Sequence, residues 1–308
     1  MKDILEFGKL FKLNFPIVEN FEYYVDVLKK SPEYSEWLDD MILDFGNFEK
    51  DVESMGYKSI KSYKLDFALP RMKEYILNTN AYKNFQQTSL PKDFLVTKDD
   101  LRKNDEEILL SIDFNAANFN TLKFYDENNE LGEFWDELCD KMDIHPTLSK
   151  SKSFRQYVFG NTSPGRLQKI QHININKIVN ELHKQGMSDK DFVFISHDEI
   201  IIKISPDKSI ACNQVDYITQ KVQKIIDENN IRMKIHYKVF KNSSLGKGMC
   251  VQTVYNVKLT GLSEMYNTLF KVPGNMFYFY FKKYILECEL DDRDLYFTVD
   301  GKLAQWVV

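Results

Sequence analysis

The first fifty-six residues repeat apolar positions with a helical period. FPIVENFEYYVDVLKK begins behind Pro16 and spaces Ile17, Phe21, Tyr24 and Leu28 along one helix face. SPEYSEWLDDMILDF opens with Ser31 as N-cap, Pro32 at the first helical position and acids in the first turn. PRMKEYILNTNAYKNF predicts more helix around 70–85, and the polar segment 86–106 reads as a connection. The pattern then changes. EILLSIDF (107–114) is a nearly continuous apolar run ending in an acid, as in a buried strand. Residues 133–142 read as helix, and 166–185 as a long helix begun after Ser163-Pro164-Gly165 and stopped at Gly186. FVFIS-HD-EIIIKI reads as a hairpin with His197 and Asp198 at its tip. An amphipathic helix at 214–229 and an alternating strand at 231–240 follow. NSSLGKGMC (242–250) reads as a basic turn, and MFYFYFKKY (276–284) as a sheet strand or a buried helix. The order strand, helix, hairpin, helix, strand predicts an α+β fold: an antiparallel sheet backed by helices, with an N-terminal helical region.

Composition narrows the setting. The 308 residues are 43% hydrophobic and 28% charged, as in a globular protein. No apolar run approaches the roughly 18 residues of a membrane span, and acids interrupt the N-terminal apolar stretch, so neither a span nor a secretory signal is expected. The cysteines at 139, 212, 250 and 288 are never closer than 38 residues, which excludes CxxC arrangements and predicts a reducing, intracellular setting, in a cytoplasm or an infected cell.

The net charge of -5 hides an asymmetry. Residues 1–60 hold 7 Lys/Arg against 13 Asp/Glu, whereas residues 141–190 hold 9 against 3. Such a basic island is where a polyanion would bind. Within it, Lys152, Arg155, Arg166 and Lys169 are candidates for phosphate charge, and Tyr157 and Phe159 for stacking on a base. Gly160 and Gly165 allow close backbone approach, and the helix beginning near Arg166 offers free N–H groups.

Two acids flank the island. Asp113 or Asp198 alone is an ordinary strand-end or turn carboxylate. If the hairpin lies beside the 107–114 strand, however, both carboxylates leave one edge of the sheet. They would then repel unless a divalent cation lies between them, and Mg²⁺, which combines one or two carboxylates with phosphate and water, is the expected ion. No GxxxxGK[ST], HExxH or GxSxG motif is present, which sets aside P-loop, zincin and serine-hydrolase chemistry.

Asp113 in LLSIDFNAANF resembles motif A of the right-hand palm polymerases. FGNTSPGRLQKIQHININ (159–176) resembles motif B, with features of both reverse transcriptases and family A DNA polymerases. FISHDEIIIKI (194–204) resembles motif C, its His-Asp-Glu closer to the family A enzymes. The resemblance covers roughly residues 105–245 and implies a palm-like sheet. It also implies two Mg²⁺ ions (Mn²⁺ as substitute) on Asp113 and Asp198, with Glu199 as an auxiliary acid. His197 would support the primer end, and Asn118 or Phe119 would approach the sugar of the incoming nucleotide. The family A pattern has an acid at the first of these two positions, and this chain has none.

The expected organisation is an N-terminal helical region at 1–95 serving as thumb or fingers, a palm-like catalytic domain at 96–256 and an extension at 257–308. The expected activity is a compact DNA polymerase that adds nucleoside triphosphates to a 3′-OH on a template and primer. Its small size implies low processivity or a protein partner. RNA polymerase, primase and reverse transcriptase are alternatives on the same palm. An inactive nucleic-acid- or polymerase-binding module is another.

Overall fold

The computed structural model describes residues 2–90, 96–231, 233–258, 261–299 and 302–306. Seven strands form one antiparallel sheet: β1 (Lys98–Asp99), β2 (Ile108–Phe114), β3 (Phe192–Ile195), β4 (Glu199–Lys203), β5 (Ile235–Gly246), β6 (Met249–Lys258) and β7 (Gly261–Phe270). Their order across the sheet is β1-β3-β4-β2-β5-β6-β7, and a separate hairpin pairs β8 (Tyr296–Val299) with β9 (Lys302–Gln305). The fold is thus α+β, as the element pattern predicts. Among the described residues, no helix is long and apolar enough to cross a membrane.

The two faces of the sheet differ because strand residues alternate sides. Ile108, Leu110, Ile112 and Phe114 of β2 point into a core with Ile200 and Ile202 of β4 and Val239 of β5. That core is roofed by Ile175, Ile178 and Val179 of the helix Pro164–Lys184 and by Val215, Ile218 and Val222 of the helix Lys208–Glu228. Ser111 and Asp113 therefore face the other way. The opposite face has a small apolar patch that includes Leu109, Val193, Ile201 and Phe240, and Ser111 and Asp113 stand beside it.

A second core is helical and aromatic. Phe7, Tyr24, Phe45, Phe48, Tyr63 and Phe85 from the N-terminal helices pack with Phe119, Trp135, Phe154, Phe159 and Leu167 from the middle of the chain and with Tyr278 and Phe281 from its C-terminal part. The helix Pro164–Lys184 joins both cores, with Leu167 and Ile170 in one and Ile175 to Leu182 in the other.

Most predicted elements appear with shifted ends. The 70–85 helix is two, Leu69–Asn78 and Asn80–Gln87, because Thr79 leaves helical geometry and its side chain caps Tyr82. The predicted connection 86–106 holds the edge strand β1, with residues 91–95 outside the described residues. The 231–240 strand begins at Ile235, and Arg232 lies outside the described residues. The 242–250 turn is narrower than predicted: Lys247 and Gly248, both at positive φ, join two long strands. MFYFYFKKY resolves as the helix Phe277–Tyr284, with Tyr278 stacked 4.1 Å from Tyr24. The sheet continues past residue 256, the predicted end of its domain, through the rest of β6 and β7 to Phe270. Those strands alternate weakly because many positions on them are only half-buried.

Candidate active site

Two acids, Asp113 and Asp198, line one cleft where β2 ends. The β3–β4 hairpin turns through Ser196, His197 and Asp198, closed by Ser196 N–H donating to the Glu199 carbonyl at 2.9 Å. Ser196 Oγ accepts from the backbone N–H of Asp198 and of Glu199 at 3.4 and 3.1 Å, and lies 3.1 Å from Asp198 Oδ1 as donor. This small polar knot fixes the tip. The tip docks on β2 through Phe114 N–H, which donates to the Asp198 carbonyl at 2.9 Å. In the same register Asp113 lies opposite Glu199 on β4 and opposite His236 on β5. Side chains opposite one another in an antiparallel pair share a face, so all three look out from the polar side of the sheet.

The electrostatics follow from this crowding. Burial, then the nearby charges of Glu199 and Asp198, push the Asp113 carboxyl up to about 7, with Lys152 opposing. Glu199 is raised as well, first by burial and also by Asp198. Ser111 Oγ, donating to Glu199 Oε1 at 2.6 Å, and the charges of Lys238 and Lys152 act against that rise. His197 Nε2 lies 3.3 Å from Asp198 Oδ1.

The acids open on a cleft of about 520 Å³. Its opposite wall is the helix Lys152–Gly160, whose Ser151 N-cap accepts from Phe154 N–H at 3.1 Å. Lys152, Arg155, Gln156 and Gly160 face the cleft at helical spacing, while Phe154, Val158 and Phe159 anchor the back of the helix in the aromatic core. Burial lowers the Arg155 guanidinium's affinity for its proton, and the charge of Asp136 counters this. The segment after Asp113 bends at Ala116, a left-handed residue at φ 46, and contributes Asn115, Ala117 and Asn118 to the wall. Asn118 Oδ1 accepts from Gln171 Nε2 at 2.9 Å. A Cβ built on Gly160 would meet no protein atom within 4 Å, so open space faces that residue.

A second hollow of about 590 Å³ adjoins the first and shares Gln168 and His197 with it. Gly165, Lys169 and His172 line it, and a Cβ on Gly165 would also meet nothing. The predicted residues Asp113, Asp198, Lys152, Arg155, Asn118 and His197 therefore share the cleft. Glu199 lies beside Asp113 on the same sheet face, and Gly165 and Lys169 flank the second hollow.

Three predicted residues do other work. Phe119 is 2% exposed and packs against Trp135 at a ring distance of 6.0 Å, so it does not reach the cleft. Phe159 is fully buried in the same core, and Tyr157 rather than Phe159 is exposed. Arg166 donates through Nε to the Phe85 carbonyl at 2.9 Å and through Nη2 to that of Thr88, with its guanidinium over the Phe85 ring. It ties two helices together. Sequence reading missed Ser111, His236 and Lys238. Their signal was the period-two alternation of β2 and β5, legible only once those strands are paired.

Among the described residues, no three His, Cys, Asp or Glu side chains are close enough to form a metal cage. Burial, and then repulsion among the acids, raise Asp113, and a cation beside the acids would offset both. That donor set suits Mg²⁺, which needs only one or two protein carboxylates beside phosphate and water. No protein-family model matches this chain, and no curated protein matches it in sequence.

Proposed function

We propose that this chain is a template-directed nucleotidyltransferase with a palm-like sheet. One observation carries the reading: the end of β2 and the tip of the β3–β4 hairpin bring Asp113 and Asp198 together on a cleft whose far wall is cationic. An acid pair facing Lys152 and Arg155 suits a substrate that is a polyanion carrying a divalent cation.

In this reading Asp113 and Asp198 hold the metal and Glu199, fixed by Ser111, supports them. Bound Mg²⁺ would offset phosphate charge and make the attacking hydroxyl more acidic. Lys152 and Arg155 take the triphosphate charge, and the mouth of the cleft near His197 receives the strand end. The 3′-oxygen forms a bond to the α-phosphorus, its proton leaves to solvent, and the bond to the bridging oxygen breaks to release pyrophosphate. Positioning and fixed charge supply most of the rate.

A DNA product is the first choice, and an RNA product gains from one observation. With Phe119 in the core, Asn118 is the side chain left at the wall, and it is small and polar. Primer extension with deoxy- and ribonucleotides on DNA and RNA templates tests the reading. Incorporation in one or more arms supports it and names the product. No incorporation in any arm, with Mg²⁺ or Mn²⁺, overturns it.

A further inference from the structure

The basic wall of the cleft extends onto the acidic N-terminal block. The helix Ile4–Phe11 ends at Lys12, which is left-handed at φ 58 and sends its backbone N–H to the Gly8 carbonyl. Leu13 N–H donates to the same carbonyl at 2.9 Å. The turn depends on Gly8: a Cβ there would lie 2.7 Å from the Leu13 carbonyl oxygen. Ser151, fully buried, donates through Oγ to the Leu10 carbonyl at 2.7 Å while capping the helix Lys152–Gly160. One hydroxyl thus clamps the end of the first helix to the start of the cleft-lining helix.

The clamp joins the chain segments that carry Lys12 and Lys152. Burial, and then the charge of Lys152, lower the affinity of Lys12 for a proton. Among the described residues neither has an ion-pair partner, and Lys9, one turn earlier, has none either. Lys9 and Lys12 line an open hollow of about 450 Å³, whereas Lys152 lines the cleft that holds Asp113. Lys9 and Lys12 on one hollow and Lys152 on the next offer successive cationic positions to an anion that spans both. The two hollows suit an extended anion better than a compact one.

We propose that Lys9 and Lys12 form a track for the phosphodiester backbone of a single nucleic-acid strand that leads toward Lys152 and the cleft. This deepens the nucleotidyltransferase reading and rests on it for the choice of strand over other polyanions. Lys12 lies in the block with a net excess of six acids, so composition hides it.

The test is binding of a fluorescent oligo-dT of about 20 nucleotides by the full chain across a salt series. Lys12→Asn is the variant, because Asn tolerates the left-handed conformation. Lys9→Gln/Lys12→Asn is the stronger variant, and the exposed Lys302→Asn, which lines neither hollow, is the control. Thermal melts establish that each variant is folded. Lys12→Asn should weaken binding about threefold or more and lower the slope of log K against log salt by about 0.7, twice that for the double variant. Lys302→Asn should do neither. Unchanged affinity and slope in a folded Lys12→Asn protein overturn the track, even if the wild type extends primers. Lys12-dependent binding without nucleotide incorporation in any arm upholds the track and overturns the catalytic reading instead. Weaker retention of tripolyphosphate by Lys12→Asn, with oligo-dT binding unchanged, overturns the strand as occupant.

Discussion

Asp113 and Glu199 are register partners across the β2–β4 pair, two acids facing each other on the polar side of the sheet. Opposed like charges destabilise a strand pair unless something offsets them. Ser111, Lys238 and Lys152 offset part of the charge on Glu199. Burial, then the charges of Glu199 and Asp198, push the Asp113 carboxyl up to about 7 against Lys152 alone.

That shift makes stability depend on pH. The folded chain keeps a proton on Asp113 up to about 7, whereas an unfolded aspartate loses it near 4. Between those values the folded state binds more protons, so this group's contribution falls as pH rises from about 4 to about 7. Urea titrations across that window, without divalent ions, should show a slope that Asp113→Asn reduces. Mg²⁺ should flatten the wild-type slope and leave the variant unchanged. An identical slope in wild type and variant contradicts the assignment.

Phe119 separates core from cleft. Phe119→Ala should cost about 3–5 kcal/mol by chemical denaturation, as expected for a buried ring. Phe119→Leu should keep the ratio of ribo- to deoxynucleotide incorporation unchanged. A change in that ratio without loss of stability would return Phe119 to the sugar site.

A buried ion pair inside the C-terminal segment is tied to the N-terminal helices through the Tyr23 hydroxyl. Lys282 Nζ lies 2.8 Å from Asp294 Oδ2, their side chains 9% and 0% exposed, and Tyr23 Oη donates to Asp294 Oδ1 at 2.7 Å. Removing one partner leaves a buried charge, so Lys282→Ala should destabilise by about 3–5 kcal/mol. Lys282→Ala/Asp294→Ala should recover part of that loss. A double variant as unstable as the two single effects summed would deny the coupling.

Much of this arrangement is legible in the chain itself. The apolar run ending at Asp113 and the two β-rich runs around His197-Asp198 define their strands because burial on both sides leaves nearly continuous Ile, Leu and Phe. The partnership of the two acids needed only one assumption, that the hairpin lies beside β2. Strands β6 and β7 were less visible, since they carry many half-exposed residues and their alternation is diluted. Phe119 and Phe159 misled for the opposite reason. An aromatic next to a polar motif reads equally as platform or core, and only the packing of Trp135 between helices decides it. Arg166 was a cation in a basic island until Phe85 and Thr88 supplied carbonyls for it. Lys12 was invisible because the Ser151–Leu10 clamp joins segments about 140 residues apart.

The most direct measurement is single-nucleotide incorporation at saturating Mg²⁺ by the wild type, Asp113→Asn and Asp198→Asn, each checked for an intact fold by circular dichroism. Each variant should lose at least about a thousandfold in rate, consistent with the loss of a group that positions transition-state charge. Asp113→Asn should at the same time melt no lower than the wild type without metal, since it removes a crowded carboxylate. Incorporation by either folded variant at the wild-type rate would contradict the account.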